Sequence, residues 1–129
     1  MEKIKYAVIG SGRQGVACAY DLAKNGNAYS VLLLDIDINL AKNGADRINK
    51  LLDTNVAYDS INVKNHNSLV NILSDIDVFI SAVPYHLNPQ VTKAAIEAKA
   101  SMVDLGGHTD NVRQQLKFNE QAKNKKITI

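Results

Sequence analysis

Hydrophobic and polar positions alternate along this chain in blocks that predict strands and helices in strict succession. Ile4 to Val8 mixes apolar and β-branched residues, which predicts a first strand over Lys5–Ile9. Val16, Ala19, Tyr20 and Ala23 then recur at helical spacing and predict a helix over Arg13–Asn25. Asn25-Gly26-Asn27 supplies its stop, with Gly26 suited to a left-handed cap. Ser30–Leu34 is an apolar run without polar alternation, the pattern of a strand buried on both faces of a parallel sheet. Leu40, Ile48, Leu51 and Leu52 predict a second helix over Asn39–Leu52, with Gly44 as a weak point at its centre.

The pattern between Asp53 and Asn67 is less regular. Val56, Tyr58, Ile61 and Val63 imply a short third strand without setting its register, and Asn67-Ser68 is read as the start of a short helix through Leu73. Val78–Val83 is a fourth, apolar strand stopped by Pro84. Asn88-Pro89 reads as an N-cap followed by proline at the first helical position. Val91, Ala94, Ala95 and Ala98 share one face of that helix. Ser101–Leu105 is a fifth strand closed by Gly106-Gly107, Asp110–Lys123 a final helix, and Ile127-Thr128-Ile129 a sixth strand. Alternating strands and helices predict an α/β doubly wound parallel sheet, a Rossmann fold of six strands in the order 3-2-1-4-5-6.

The 129 residues suffice for one domain and not for two ordinary ones. The chain closes on a strand with no trailing helix, and the expectation is that residues 1–129 are the N-terminal part of a longer protein. A net charge of +2, with 22% charged residues scattered along the chain, gives no reason to expect nucleic acid as a partner. Lys123, Lys125 and Lys126 form the one basic cluster and read as the solvated end of a helix. No apolar run approaches the roughly 18 residues of a membrane span, and the N-terminus lacks a signal-peptide pattern. Cys18 is the single cysteine, in mid-helix, and is read as a small buried apolar residue rather than a reactive thiol. These features fit a cytoplasmic setting.

The chemistry is concentrated in the turn after the first strand. Gly10-Ser11-Gly12-Arg13-Gln14-Gly15 is a G-x-G-x-x-G motif, and it stands between a predicted strand and a predicted helix. In that context Gly10 permits a tight turn, Gly12 lets the backbone approach a pyrophosphate, and Gly15 lets helix and strand pack closely. The free N–H groups at the helix start, those of Arg13 and Gln14 among them, then face the phosphates. Asp35 lies 20 residues beyond Gly15, at the end of the second strand. There an acidic side chain binds the ribose hydroxyls and repels a 2′-phosphate. Ile36 and Asp37 follow where an NADP site commonly has an arginine, so NAD is expected in preference to NADP. Read alone, Asp35 is a solvated residue at a strand end; the glycine turn at this spacing favours the ribose role.

Ala82, Val83 and Pro84 end the strand beside the first and are expected to border the central riboses. Asn62 and Val63 are expected to flank the adenine, and Ile36 is counted among the cofactor-binding residues beside Asp35. Gly106-Gly107 has two readings, a turn that needs positive φ or an opening that admits nicotinamide or substrate. His66 falls in a polar loop and reads as solvated. His86 and His108 both fall near the cleft mouth. No C-x-x-C, H-x-x-x-H or G-x-x-x-x-G-K-[ST] is present, so the sequence offers no metal-ligand or P-loop pattern. No catalytic residue is assigned.

Ser81-Ala82-Val83-Pro84-Tyr85, Val91–Ala98, Met102-Val103-Asp104-Leu105-Gly106-Gly107 and Val112-Arg113-Gln114-Gln115 carry a further signal. With the glycine turn, they make the chain resemble the saccharopine dehydrogenase family over Tyr6–Ile129, and most specifically its lysine 6-dehydrogenase-like branch over Val103–Gln115. The resemblance implies an NAD(P)-linked oxidoreductase acting on C–N bonds of a small amino-acid substrate. It also implies that a second domain, for substrate and dimerisation, follows the cofactor domain, with a homodimer as the possible assembly. His108 stands where an asparagine is expected in that branch, so substrate identity does not transfer. A rival reading from another class is a stand-alone NAD-binding regulatory module, like those of potassium-transport systems, which catalyses nothing.

Overall fold

The computed structural model describes residues 2–129. Its sheet has five parallel strands in the order β3-β2-β1-β4-β5. They are β1 (Ile4–Ile9), β2 (Ala28–Asp35), β3 (Ala57–Ser60), β4 (Val78–Ser81) and β5 (Ser101–Asp104). The helices are α1 (Arg13–Asn25), α2 (Ile38–Leu52), α3 (His66–Leu73), α4 (Asn88–Ala98), α5 (Thr109–Leu116) and α6 (Asn119–Lys125), with a 3-10 turn over Tyr85–Leu87. With crossovers of one hand, the reversal of strand order at β1 puts helices on both faces of the sheet, and two separate cores result.

Side chains of β1 alternate between those cores, as the period of two demands. Ala7 and Ile9 join Leu34, Phe79 and Met102 under α3 and α4, where Leu69, Leu73, Val91, Ala94 and Ala95 are buried. Val8 joins Val31 and Leu33 under α1 and α2, where Ala19, Ala45 and Ile48 are buried. The continuous apolar runs of β2 and β4 are thus explained by burial on both faces. Lys5 ties the start of β1 to the turn before β4: its amide donates to Asp77 Oδ2 at 2.8 Å, and its Nζ to Asp75 Oδ1 at 2.7 Å. The Asp75 hydrogen bond and charge raise the pKa of the exposed Lys5 ammonium above its ordinary value of 10.5.

The sixth strand does not form. Residues 127–129 run beside the free edge of β5, where Met102 N–H donates to Thr128 O at 2.9 Å and Thr128 N–H donates to Ser101 Oγ at 3.1 Å. One backbone bond places the segment at the sixth position without making a ladder. The predicted final helix also divides, at Lys117-Phe118, into α5 and α6. The second helix turns its small residues inward: Ala41, Gly44, Ala45 and Ile48 are buried, while Leu40 and Leu51 are largely exposed. Gly44 is no weak point, because a β-carbon there meets Leu33 Cδ2 and Val16 Cγ2 at 2.8 Å. Its absence lets α2 lie close to α1 and β2. The left-handed residue after α1 is Asn27 (φ 50°), and Gly26 has φ −81°.

Candidate dinucleotide-binding site

The sheet order reverses between β1 and its two neighbours, β2 and β4, so the loops after these strands diverge and leave a crevice at their carboxyl ends. A cleft of about 360 Å³ lies there. It brings together Gly10 and Gly12 after β1, Asp35 and Ile36 at β2, Asn62 and Val63 beyond β3, and Ala82, Val83 and Pro84 after β4. These are nine of the predicted site residues. Arg13, Gln14 and Gly15 are not on its wall. Gly15 is buried beneath the turn, Gln14 is exposed on the first turn of α1, and Arg13 faces a separate groove between α1 and α2.

The glycines divide the work of the turn. Gly10 alone among the described glycines has positive φ (+105°), and a β-carbon there lies 2.6 Å from Ala82 O. At Gly15 a β-carbon falls 1.7 Å from Gly10 O, so nothing larger than hydrogen fits between helix and strand. At Gly12 a β-carbon meets nothing within 4 Å. That position opens on space free of protein atoms, as a backbone approached by an external group must.

The electrostatics agree. Gly12 is the N-cap of α1, and no side chain caps the helix and no acid occupies its first turn. By contrast α2 is capped by Asp37, whose Oδ1 accepts from Asn39 N–H at 2.9 Å, and α3 by Asn65, which accepts from Ser68 N–H at 3.1 Å. The first intrahelical bond of α1 runs from Val16 N–H to Gly12 O. The preceding amides are left to an outside acceptor, which the helix dipole prefers to be an anion. The residues present therefore fit a pyrophosphate.

Asp35 is held before any ligand arrives. Its Oδ2 accepts from Ser11 N–H at 2.7 Å and its Oδ1 from Asp37 N–H at 2.9 Å. Ser11 is in turn buried and donates from Oγ to Leu34 O at 3.0 Å. The carboxylate is thus fixed at the end of β2 with lone pairs remaining for hydroxyl donors. Sequence reasoning missed Ser11, and also Ile9, Ile61, Lys64 and Leu87 on the cleft wall. Ser11 occupies an unconstrained position of the motif, and the others carry no signal apart from the fold.

The histidines are placed apart from the cleft wall. His66 starts α3, and its Nε2 lies 2.6 Å from Glu97 Oε2 on α4, so it is paired rather than loop-borne. His86 packs edge-on against Tyr85, and His108 stacks on Tyr85 with ring centroids 5.0 Å apart. Gly106 and Gly107 do not adopt positive φ, so the turn reading of that pair fails. At Gly106 the constraint is space: a β-carbon comes within 2.7 Å of Asn88 Nδ2. Asn88 is not an N-cap either. It is the first residue of α4, with Leu87 before it as cap, and its side chain turns inward.

Uncapped helix, constrained glycines and oriented carboxylate define a dinucleotide-binding Rossmann domain. Residues 6–129 match the model of the saccharopine dehydrogenase NADP binding domain, and the chain belongs to that family. It is 32% identical over 106 residues to the mitochondrial alpha-aminoadipic semialdehyde synthase of Rattus norvegicus, covering 78% of this chain and 10% of the synthase. It is 33% identical over 113 residues to a shikimate dehydrogenase (NADP(+)) of Methanobrevibacter smithii, covering 87% and 36%. Among solved structures, the apo saccharopine dehydrogenase (L-Glu forming) of Saccharomyces cerevisiae superimposes with a TM-score of 0.79 at 25% identity. That match covers 97% of this chain and 26% of the yeast enzyme. The chain thus spans about a third or less of the length of these relatives. None of the described residues forms a helix long and apolar enough to cross a membrane.

Proposed function

We propose that this chain is the cofactor-holding part of an NAD-linked oxidoreductase that acts on a C–N bond of a small amino-acid substrate, with further residues supplying most of the substrate site. Family membership and the likeness to saccharopine dehydrogenase support the substrate class, and they favour an enzyme domain over a regulatory module. The bound cofactor supplies the hydride chemistry, while the protein supplies binding, orientation and electrostatics. In this reading the first-turn amides of α1 hold the pyrophosphate above Gly12, and Asp35 accepts from the adenosine ribose hydroxyls. Ile36, Asn62 and Val63 flank the adenine, and Ala82, Val83 and Pro84 border the central riboses.

The single observation that carries the choice of NAD over NADP is the fixed carboxylate of Asp35. Two backbone N–H donors hold it at the end of β2, so it cannot swing away from a 2′-phosphate that approaches there. No arginine or lysine occupies Ile36 or Asp37 to offset the repulsion. The family name and the shikimate relative both carry NADP, which makes the preference a direct test. Isothermal titration is expected to give at least a tenfold tighter Kd for NAD than for NADP, a difference of about 1.4 kcal/mol. Asp35→Ala is expected to weaken NAD about tenfold and to narrow that gap, since hydrogen bonds to a charged group contribute about 1.5–3 kcal/mol. Tighter binding of NADP by the unaltered protein would refute this account of Asp35.

A further inference from the structure

Away from the cleft, α1 and α2 lie side by side on one face of the sheet and leave a groove of about 510 Å³ between them. Helix α2 reaches it with a second apolar stripe. Its first stripe, Ala41, Gly44, Ala45 and Ile48, is buried and serves the core. Leu40, Arg47 and Leu51 recur at i, i+7 and i+11 and so share a different face. Leu40 and Leu51 are 48% and 63% exposed, and all three line the groove, with Ala17 and Tyr20 of α1 on its other side. The core of this domain does not use those leucines. Contiguous exposed apolar surface beside polar groups marks a site of association.

Charge identifies what associates. Arg13 and Arg47 both line the groove, and neither makes an ion pair among the described residues. The one acid of α2, Asp46, is engaged by Lys42 Nζ at 2.7 Å, and the one acid of α1, Asp21, accepts from Asn25 Nδ2 at 2.7 Å. No carboxylate lines the groove. Two unpaired guanidinium groups beside an apolar trough therefore complement an occupant that carries apolar side chains and carboxylates together. A second copy of this same face would bring four arginines together with no acid between them. A bilayer surface is too flat to enter a concave trough. Leu40 to Leu51 spans roughly 16 Å along α2, the length of about three helical turns.

We infer that the α1–α2 groove docks an acidic amphipathic helix of a partner protein. The apolar stripe of that helix packs on Leu40, Leu51 and Tyr20, and its carboxylates pair with Arg13 and Arg47. Helix-in-groove recognition uses this combination of spaced apolar anchors and flanking charge, and arginine and tyrosine carry much of the energy at such surfaces. The inference stands apart from the cofactor reading. It gives a role to Arg13, which belongs to the glycine motif and is absent from the cleft wall.

A displayed library of randomised helical peptides of about four turns, sorted on the unaltered protein, tests it. The enriched sequences are expected to carry leucine or isoleucine at i, i+3 or i+4, and i+7, flanked by Asp or Glu. Fluorescence anisotropy with an enriched peptide is expected to show at least tenfold weaker binding to Arg47→Glu and to Leu51→Asp, because a like charge or a carboxylate then faces the peptide. Both positions are exposed, so the fold is expected to persist. Lys125→Glu on α6 makes the same change in net charge as Arg47→Glu and is expected to leave binding unchanged. Neutral or basic enriched sequences, or binding indifferent to Arg47→Glu and Leu51→Asp, overturn the inference. Self-association abolished by Leu51→Asp assigns the groove to a second copy, and binding to phosphatidylserine vesicles lost in Arg47→Glu assigns it to a membrane; either result also overturns it.

Discussion

Gly12 and Gly15 are both glycines of one motif, yet they answer to different physics. Gly15 is glycine because Gly10 O occupies the place of its β-carbon at 1.7 Å. Gly15→Ala must therefore push α1 off β1, and overpacking of this severity costs about 3 kcal/mol or more. Gly12 has ordinary backbone angles (φ −72°, ψ −171°) and no protein atom near its missing side chain. Gly12→Ala is expected to keep its stability within about 0.5 kcal/mol and to lose at least tenfold in dinucleotide affinity, because the methyl group takes the space of the phosphates. Thermal melts and calorimetry on the two variants should therefore give opposite patterns. A Gly12→Ala protein that binds normally would remove the pyrophosphate from this turn. The spacing of the motif was legible in the sequence. The division of labour among its glycines was not, since it depends on Ala82 and Gly10 meeting the motif in space.

The elements differ in how firmly they are held. Strands β1 and β4 are central and packed on both faces, with Ala7, Val8, Ile9 and Phe79 at 1% exposure or less. Helix α5 has no buried residue, and Val112 and Leu116 are exposed. Its ties are polar: Gln115 to Asp104 and Thr92, and Asn111 Nδ2 to Tyr85 O at 2.8 Å. Hydrogen exchange is expected to show amides of α5 opening far more readily than those of β1 and β4. Equal protection would mean that α5 has a covering that these contacts do not supply. The periodicity foretold the central strands well, because burial on both faces leaves a continuous apolar run. It read α5 and α6 as one helix, because Val112, Leu116 and Ala122 keep helical spacing across the break at Lys117-Phe118. Helix α2 misled in another way. Its large apolar residues Leu40 and Leu51 face outward, and alanines and Gly44 form the contact.

At the scale of the molecule, two cores share one sheet, and the cleft lies at the seam where helices change face. Binding there engages β1, β2 and β4 together, so ligand should stabilise the whole domain rather than one loop. A ligand at 100 times its Kd contributes about 2.7 kcal/mol, which corresponds to a rise in Tm on the order of 10 °C for a domain of this size. A scan with saturating NAD should show one transition moved upward. A shift confined to part of the unfolding, or none, would place the ligand away from the seam.

The sequence alone determined the class of fold, the glycine turn after β1, the acidic residue at the end of β2 and the family. Each is written locally, in a period of two or 3.6 or in a fixed spacing of a few residues, and local patterns survive without knowledge of what packs on them. Tertiary structure decided the rest. It placed the terminal segment beside β5 with a single backbone bond instead of a sixth strand, and it set Arg13 in a groove between α1 and α2. It also turned Asn88 from an expected cap into a buried amide facing Gly106. These outcomes depend on residues that meet far apart in the chain, Met102 with Thr128 and Asn88 with Gly106 among them, and no period in the sequence encodes such a meeting.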